Sequence, residues 1–251
     1  MIVTIIGTGN VGTVFTKLIF SKGHTILQVF GRTISSAKNL AATVNAEAIN
    51  DLSNVNSTAD IYLITIADKA IETITNKLHL NNKLVLHTAG SVDKNILKNA
   101  STNYGVLYPI QSIRKDMSLE TKIPLLIDAN DIDAFNQLNI FANSLSTEVT
   151  KGDDLQRLNL HSAAVFANNF VNYMYVQSAI ICEENHIDFK LLQPLIEETA
   201  MRLRANHPKD VFTGPAKRKD FETIQKHQQA LANQPRLLDL YNTITKMIME
   251  H

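Results

Sequence analysis

The first thirty residues limit the fold of this chain more than any other part of it. An apolar run, Ile2–Ile6, leads into Gly7-Thr8-Gly9-Asn10-Val11-Gly12. A segment with helical periodicity, Val11–Lys22, follows and stops at Gly23 before a second apolar run, Thr25–Phe30. A G-x-G-x-x-G pattern alone decides little, but between a strand and a helix it is the turn that opens a βαβ unit. Each glycine then has a distinct role. Gly7 permits the tight turn, Gly9 lets backbone approach a pyrophosphate, and Gly12 lets helix and strand pack closely. The helix start adds unpaired N–H donors and the positive end of a dipole. Residues Gly7, Thr8, Gly9, Asn10, Val11 and Gly12 therefore read as a dinucleotide cradle.

The end of the second run separates the two nicotinamide cofactors. A site for NAD usually places an acid there for the ribose hydroxyls, whereas a 2′-phosphate requires cations and hydroxyl donors. The chain has Phe30-Gly31-Arg32-Thr33, with Ser35, Ser36 and Lys38 close behind and no carboxylate. Arg32 is suited to stacking on adenine and forking onto phosphate, which favours NADP. The alternative is an Arg32 that only caps the strand in solvent.

Further strands are expected at Ala46–Ile49, Ile61–Ala67, Lys83–His87, Gly105–Tyr108, Leu125–Asp128 and Ser146–Thr150, separated by helical segments. This alternation predicts an α/β, Rossmann-type doubly wound and mainly parallel sheet over residues 1–152. After Lys151-Gly152-Asp153 glycine almost vanishes, and one long helical pattern runs from Asp154 to about Asn185. Helices at Asp188–Arg204, Asp220–Ala232 and Arg236–Glu250 follow, so residues 153–251 read as an all-helical dimerisation and substrate domain.

At 3.6 residues per turn, Asp154, Arg157, His161, Asn168, Asn172 and Tyr175 of the long helix fall on one stripe, and nearly everything else is apolar. A helix of this kind is expected to be surrounded by protein, which predicts a homodimer through the helical domain. The polar stripe must be hydrogen-bonded, either in a site or in an interhelical network. His161 and Asn168 are the candidate catalytic residues, because a histidine placed there is suited to delivering a proton to a carbonyl or imine.

Ligands of open α/β sheets lie beyond the carboxyl ends of the strands. Ala67 and Asp68 follow the fourth strand; His87, Thr88 and Ala89 follow the fifth, and with Gly31, Arg32 and Thr33 they complete the expected cofactor contacts. His87 is equally readable as a core or capping residue. Ser91 reads as the cap of a helix over Val92–Asn99. Tyr108 and Gln111 in Tyr108-Pro109-Ile110-Gln111 and Asn172 on the helix stripe are candidate substrate contacts. Arg218, in the cationic loop Thr213–Asp220, is a candidate clamp for an anionic substrate, or else part of a solvated helix start.

Lys+Arg and Asp+Glu both total 24, which leaves no basic field for nucleic acid or an anionic membrane. No apolar run approaches the roughly 20 residues of a membrane span, and the N-terminus shows no export signal. The single cysteine, Cys182, reads as a buried structural thiol, and a cytoplasmic location is expected. No metal site is expected.

With these segments located, the chain resembles the short relatives of the 6-phosphogluconate dehydrogenase and pyrroline-5-carboxylate reductase superfamily. More narrowly it resembles a bacterial group of NADP oxidoreductases of the deazaflavin-dependent type with a helical C-terminal domain of unknown function. The likeness spans almost the whole chain, and its most specific parts are residues 161–170 and Thr213-Gly214-Pro215-Ala216. The resemblance implies NADP binding and a dimer, and it assigns no substrate. No counterpart of the hydroxyacid dehydrogenases' catalytic lysine is evident, and His161 lies in that region instead. The expected function is NADP(H)-dependent hydride transfer to or from a small anionic carbonyl or imine in an interdomain cleft. The alternative is an NADP-binding regulatory or sensor protein without turnover.

Overall fold

A computed structural model describes residues 1–250. All eight expected strands are present: β1 (Ile2–Ile6), β2 (Thr25–Phe30), β3 (Glu47–Ile49), β4 (Ile61–Ile64), β5 (Leu84–His87), β6 (Asn103–Pro109), β7 (Leu125–Ala129) and β8 (Val149–Lys151). They form one sheet in the order β3-β2-β1-β4-β5-β6-β7-β8. The pairings are parallel except between β6 and β7. The order of strand addition reverses at β1, which β2 and β4 flank, and such a switch point opens a crevice at the strand ends.

The central strands are apolar on both sides because the sheet is covered on both sides. Val3, Ile5, Ile61, Leu63, Leu84 and Leu86 point into one core with Phe15 and Ile19 of α1 (Asn10–Ser21) and Phe141 of α4 (Ile132–Leu145). Ile6, Tyr62, Ile64 and Val85 fill the other core with Ile71 of α3 (Ile71–Thr75) and Leu97. Helix α2 (Ile34–Ala41) connects β2 to β3.

The chain divides into two compact units, Met1–Asn169 and Phe170–His251. The expected boundary at 152 follows the last strand, but α5 (Asp154–Ala164) belongs with the first unit, because Leu160 packs against Val106, Tyr108 and Leu126 of the sheet. The helix expected over Asp154–Asn185 is interrupted: Val165–Phe170 is a π-helix, and α6 (Val171–Glu184) follows it. A π-turn inserts a residue into the helical repeat, so positions before and after it no longer share one 3.6-residue period. The predicted single stripe is therefore two lines.

Nor is the segment surrounded within one chain, since Leu155, Leu158, Tyr173, Val176 and Ile180 are exposed. The second unit continues with α7 (Gln193–Arg202), α8 (Pro215–Arg218), α9 (Phe221–Ala230) and α10 (Pro235–Met249). Cys182 is free and buried there, as expected. No helix among the described residues is long and apolar enough to cross a membrane.

Candidate active site

The turn after β1 has a geometry that glycine alone fits. Gly7 has φ +127°, and a Cβ on it would lie 2.7 Å from the Thr65 carbonyl oxygen. A Cβ on Gly12 would lie 2.2 Å from the Gly7 carbonyl oxygen. Gly9 differs, with nothing nearer than Thr65 O at 4.0 Å, so its backbone faces room for a ligand. Helix α1 has no side-chain cap and no acidic residue in its first turn. Its first N–H groups are therefore left for an external anion, which suits a pyrophosphate.

The Arg32 loop stands against this turn. A Cβ on Gly31 would touch Thr8 Cγ2 and Ser36 Oγ at 3.0 Å. The Thr8 hydroxyl donates to Ser36 Oγ at 3.2 Å, and Thr33 donates to the same oxygen at 2.9 Å. Arg32, Thr33 and Lys38 are exposed at the end of β2, with no carboxylate between Arg32 and Ala41. An adenosine ribose carrying a 2′-phosphate fits this donor set.

Beside the turn, the first unit holds a cleft of about 710 Å³. Its walls include Asn10 and Val11 of the glycine turn, Asp68, Thr88 and Ala89 of the later strand ends, Tyr108 and Gln111 after β6, and His161 and Asn168 from the helical segment. These predicted residues, scattered over 160 positions, share one cavity. Gly31, Arg32 and Thr33 are not in its walls, and Ala67 stops just short, preceding the short 3₁₀ turn that begins at Asp68. Asn172 and Arg218 lie in the second unit.

Within the cleft, the Tyr108 hydroxyl lies 2.9 Å from His161 Nδ1. The imidazole rests on Gly90, where a Cβ would come within 2.7 Å of its Cγ. Burial pushes the Tyr108 phenol above its ordinary range, against the charge of Arg157. One turn before His161, Arg157 is only 1% exposed and donates to the Val92 carbonyl and to Asp154 Oδ1. Lys94 Nζ bridges Asp128 at 2.7 Å and Asp154 at 3.1 Å. Burial pushes the Asp154 carboxyl up, but hydrogen bonds from Arg157 and Lys94 outweigh it and hold the group below the usual carboxylate range. This network fastens the start of α5 to the sheet, and so positions His161.

Two expectations change here. Ser91 does not cap a helix over Val92–Asn99: it donates to Asp68 Oδ2 at 2.8 Å, and the segment is a 3₁₀ turn, Lys94–Leu97, capped by Asp93. His87 is fully buried and absent from the cleft walls, with Nδ1 accepting from the Ala89 N–H at 3.1 Å. Burial, with the charge of Arg157, lowers its pKa to about 4.

That shift has a sign. An unfolded chain protonates His87 below about pH 6.5, whereas the folded chain refuses the proton until about pH 4. The stability held by neutral His87 is complete above 6.5 and is lost as pH falls to 4. Urea unfolding should show the native protein losing about 2 kcal/mol more than His87→Asn between about pH 7 and about pH 5. Parallel pH slopes would remove the assignment.

Sequence reasoning missed Thr65 and Lys94. Thr65 Oγ1 donates to the Ile6 carbonyl at 3.3 Å and lies under Gly7 and Gly12. Nothing in its local pattern signals this, because the packing depends on strand register. Among the described residues no three potential ligands converge on a metal site.

Residues 2–90 match the family model described as NADP oxidoreductase, coenzyme F420-dependent, and residues 123–248 match a domain of unknown function, DUF2520. No curated protein matches. Among solved structures, a Bacteroides fragilis protein provisionally described as an NADP oxidoreductase is 35% identical, with a TM-score of 0.91, over 100% of this chain and 98% of its own. A Thermotoga maritima protein is 21% identical, with a TM-score of 0.76, over 99% and 97%. An imine reductase from Myxococcus stipitatus in complex with NADP+ is 15% identical, with a TM-score of 0.71, over 100% and 93%; at that distance the likeness concerns the fold. The glycine cradle, the match over residues 123–248 and the full-length similarity to the Bacteroides protein agree, and the chain belongs to the NADP oxidoreductase family that carries the DUF2520 domain.

Proposed function

We propose that the protein is an NADPH-dependent reductase of a small carbonyl or imine compound. The observation that carries this reading is the Tyr108–His161 pair standing in the same cleft as Asn10 and Val11 of the glycine turn. Gly7 to Gly12 and the start of α1 hold the pyrophosphate, while Arg32, Thr33 and Lys38 hold the 2′-phosphate. Thr88 and Ala89 complete the cofactor's wall of the cleft. NADPH, when bound, supplies the hydride for the electrophilic carbon.

The chain's own residues supply the proton. Tyr108 engages Nδ1 of His161, leaving Nε2 as the nitrogen that carries a proton to the substrate oxygen or nitrogen. Asn168 and Gln111, both in the walls, orient the polar end of the substrate. The similarity of fold to an imine reductase bound to NADP+ supports this assignment of reaction class.

Two further readings accompany it. Exposed Tyr173 and Val176 on α6 and Leu191 and Leu195 near α7 support a homodimer formed through the helical region. The cysteine usage supports a cytoplasmic location.

Titration calorimetry tests the cofactor. Arg32→Ala should weaken NADPH binding by about ten- to a hundredfold and leave NADH within about twofold, since a charge-assisted phosphate contact is removed. Equal losses would refute the phosphate role, and absence of binding by either cofactor in the native protein would sink the reductase. Tight NADPH binding without turnover of keto acids, aldehydes or cyclic imines would favour the sensor.

A further inference from the structure

The cleft is short of positive charge. No lysine or arginine is among its lining residues, and Asp68 is its one carboxylate. Asp68 Oδ2 accepts from Ser91 at 2.8 Å, and no salt bridge neutralises the group among the described residues. Lys69 follows Asp68 in the chain but is not among the lining residues, while Arg157 is engaged with Asp154, and Lys94 with Asp154 and Asp128. Ile110 and Leu160 make other parts of the wall apolar. An anionic substrate entering this cleft gives up hydration without gaining a cationic partner and meets a carboxylate of its own sign. A protonated imine or amine meets attraction instead.

We infer that the cleft selects substrates without negative charge, namely neutral imines that protonate to iminium cations and the ammonium forms of the amines they give, and that Asp68 is a specificity-determining residue for this choice. This rests on the reductase reading and replaces the anionic substrate expected from Arg218. The reaction balances as imine plus NADPH plus one proton giving amine plus NADP+. The hydride adds to carbon, and the proton from His161 goes to nitrogen. Asp68 transfers nothing; it stabilises the iminium cation formed when that proton arrives, and disfavours a carboxylate-bearing analogue. Because Asp68 is exposed, its share is partly screened by salt.

The test compares two rings that differ in one group, 2-methyl-1-pyrroline and 1-pyrroline-2-carboxylate, at saturating NADPH in low salt. The native protein should favour the ring without the carboxylate by about tenfold or more in kcat/KM. Asp68→Asn should narrow that preference by about threefold, and Asp68→Lys should narrow it further through gain on the carboxylate. Equal or better turnover of the carboxylate by the native protein, or a ratio unmoved in both variants, would overturn the inference and leave the reductase standing.

If neither ring is reduced, calorimetry on NADP+-loaded protein with 2-methylpyrrolidine and proline separates the two ideas. Preferential binding of 2-methylpyrrolidine, lost in Asp68→Lys, upholds the charge selection while the reductase fails. Preference for proline, or binding of neither amine, overturns the charge selection.

Discussion

Replacing His161 by alanine should lower kcat for NADPH-dependent reduction by about a hundred- to ten-thousandfold, the usual contribution of a positioned proton donor. NADPH affinity should stay within about twofold, because the glycine cradle and the Arg32 loop are untouched. Tyr108→Phe keeps the ring that packs with Leu160 and removes only the hydroxyl bonded to Nδ1. Its loss should be smaller, about tenfold, and should appear with a displaced pH profile of kcat, since Tyr108 acts through His161. Steady-state kinetics across pH on both variants decides the roles. If His161→Ala turns over like the native protein, the pair is a structural link between α5 and β6 and the proton comes from elsewhere.

The second large effect falls on stability. Asp154→Ala removes the carboxylate that serves both Arg157 and Lys94. Lys94 keeps Asp128, but Arg157, 1% exposed, keeps only the Val92 carbonyl, and its Nε and Nη1 already lack partners. A buried guanidinium left without its counter-charge costs about 3–5 kcal/mol. Urea denaturation followed by circular dichroism should report that loss. Adding Arg157→Leu to Asp154→Ala should recover part of it, because the stranded charge is gone. A single variant as stable as the native protein would show that solvent reaches Arg157 and that the network positions α5 without supporting it.

The legible part of this chain lies where local pattern and tertiary role coincide. Ile2–Ile6 and Gly7 to Gly12 announce a strand and a phosphate-binding turn because the βαβ geometry demands those residues within a dozen positions. The strand ends gave Asp68, Thr88, Ala89, Tyr108 and Gln111, since an open α/β sheet gathers ligands at one edge, and the structure brings all five into one cleft. His161 and Asn168 came from helical period and reach the same cavity, whereas Asn172, beyond the π-turn, falls in the second unit. A π-turn intervenes there, and its backbone hydrogen-bond shift leaves no compositional mark in Val165–Phe170. Thr65, Lys94 and the buried state of His87 depend on which strands become neighbours, information that no local window contains. Ser91 misled because a serine before an apolar segment serves a cap or a neighbouring carboxylate equally well.

The π-turn at Val165–Phe170 also gives one stretch of the cleft wall a backbone geometry different from that of α5. His161 is in register with Tyr108 through α5, upstream of the turn, while α6 lies downstream. A gain or loss of one residue inside the turn would displace Asn168 from its place in the cleft wall and leave the His161–Tyr108 pair as it is. The proton donor and the polar residue one to two turns beyond it are thus held by two different backbone geometries, and each answers to its own substitutions.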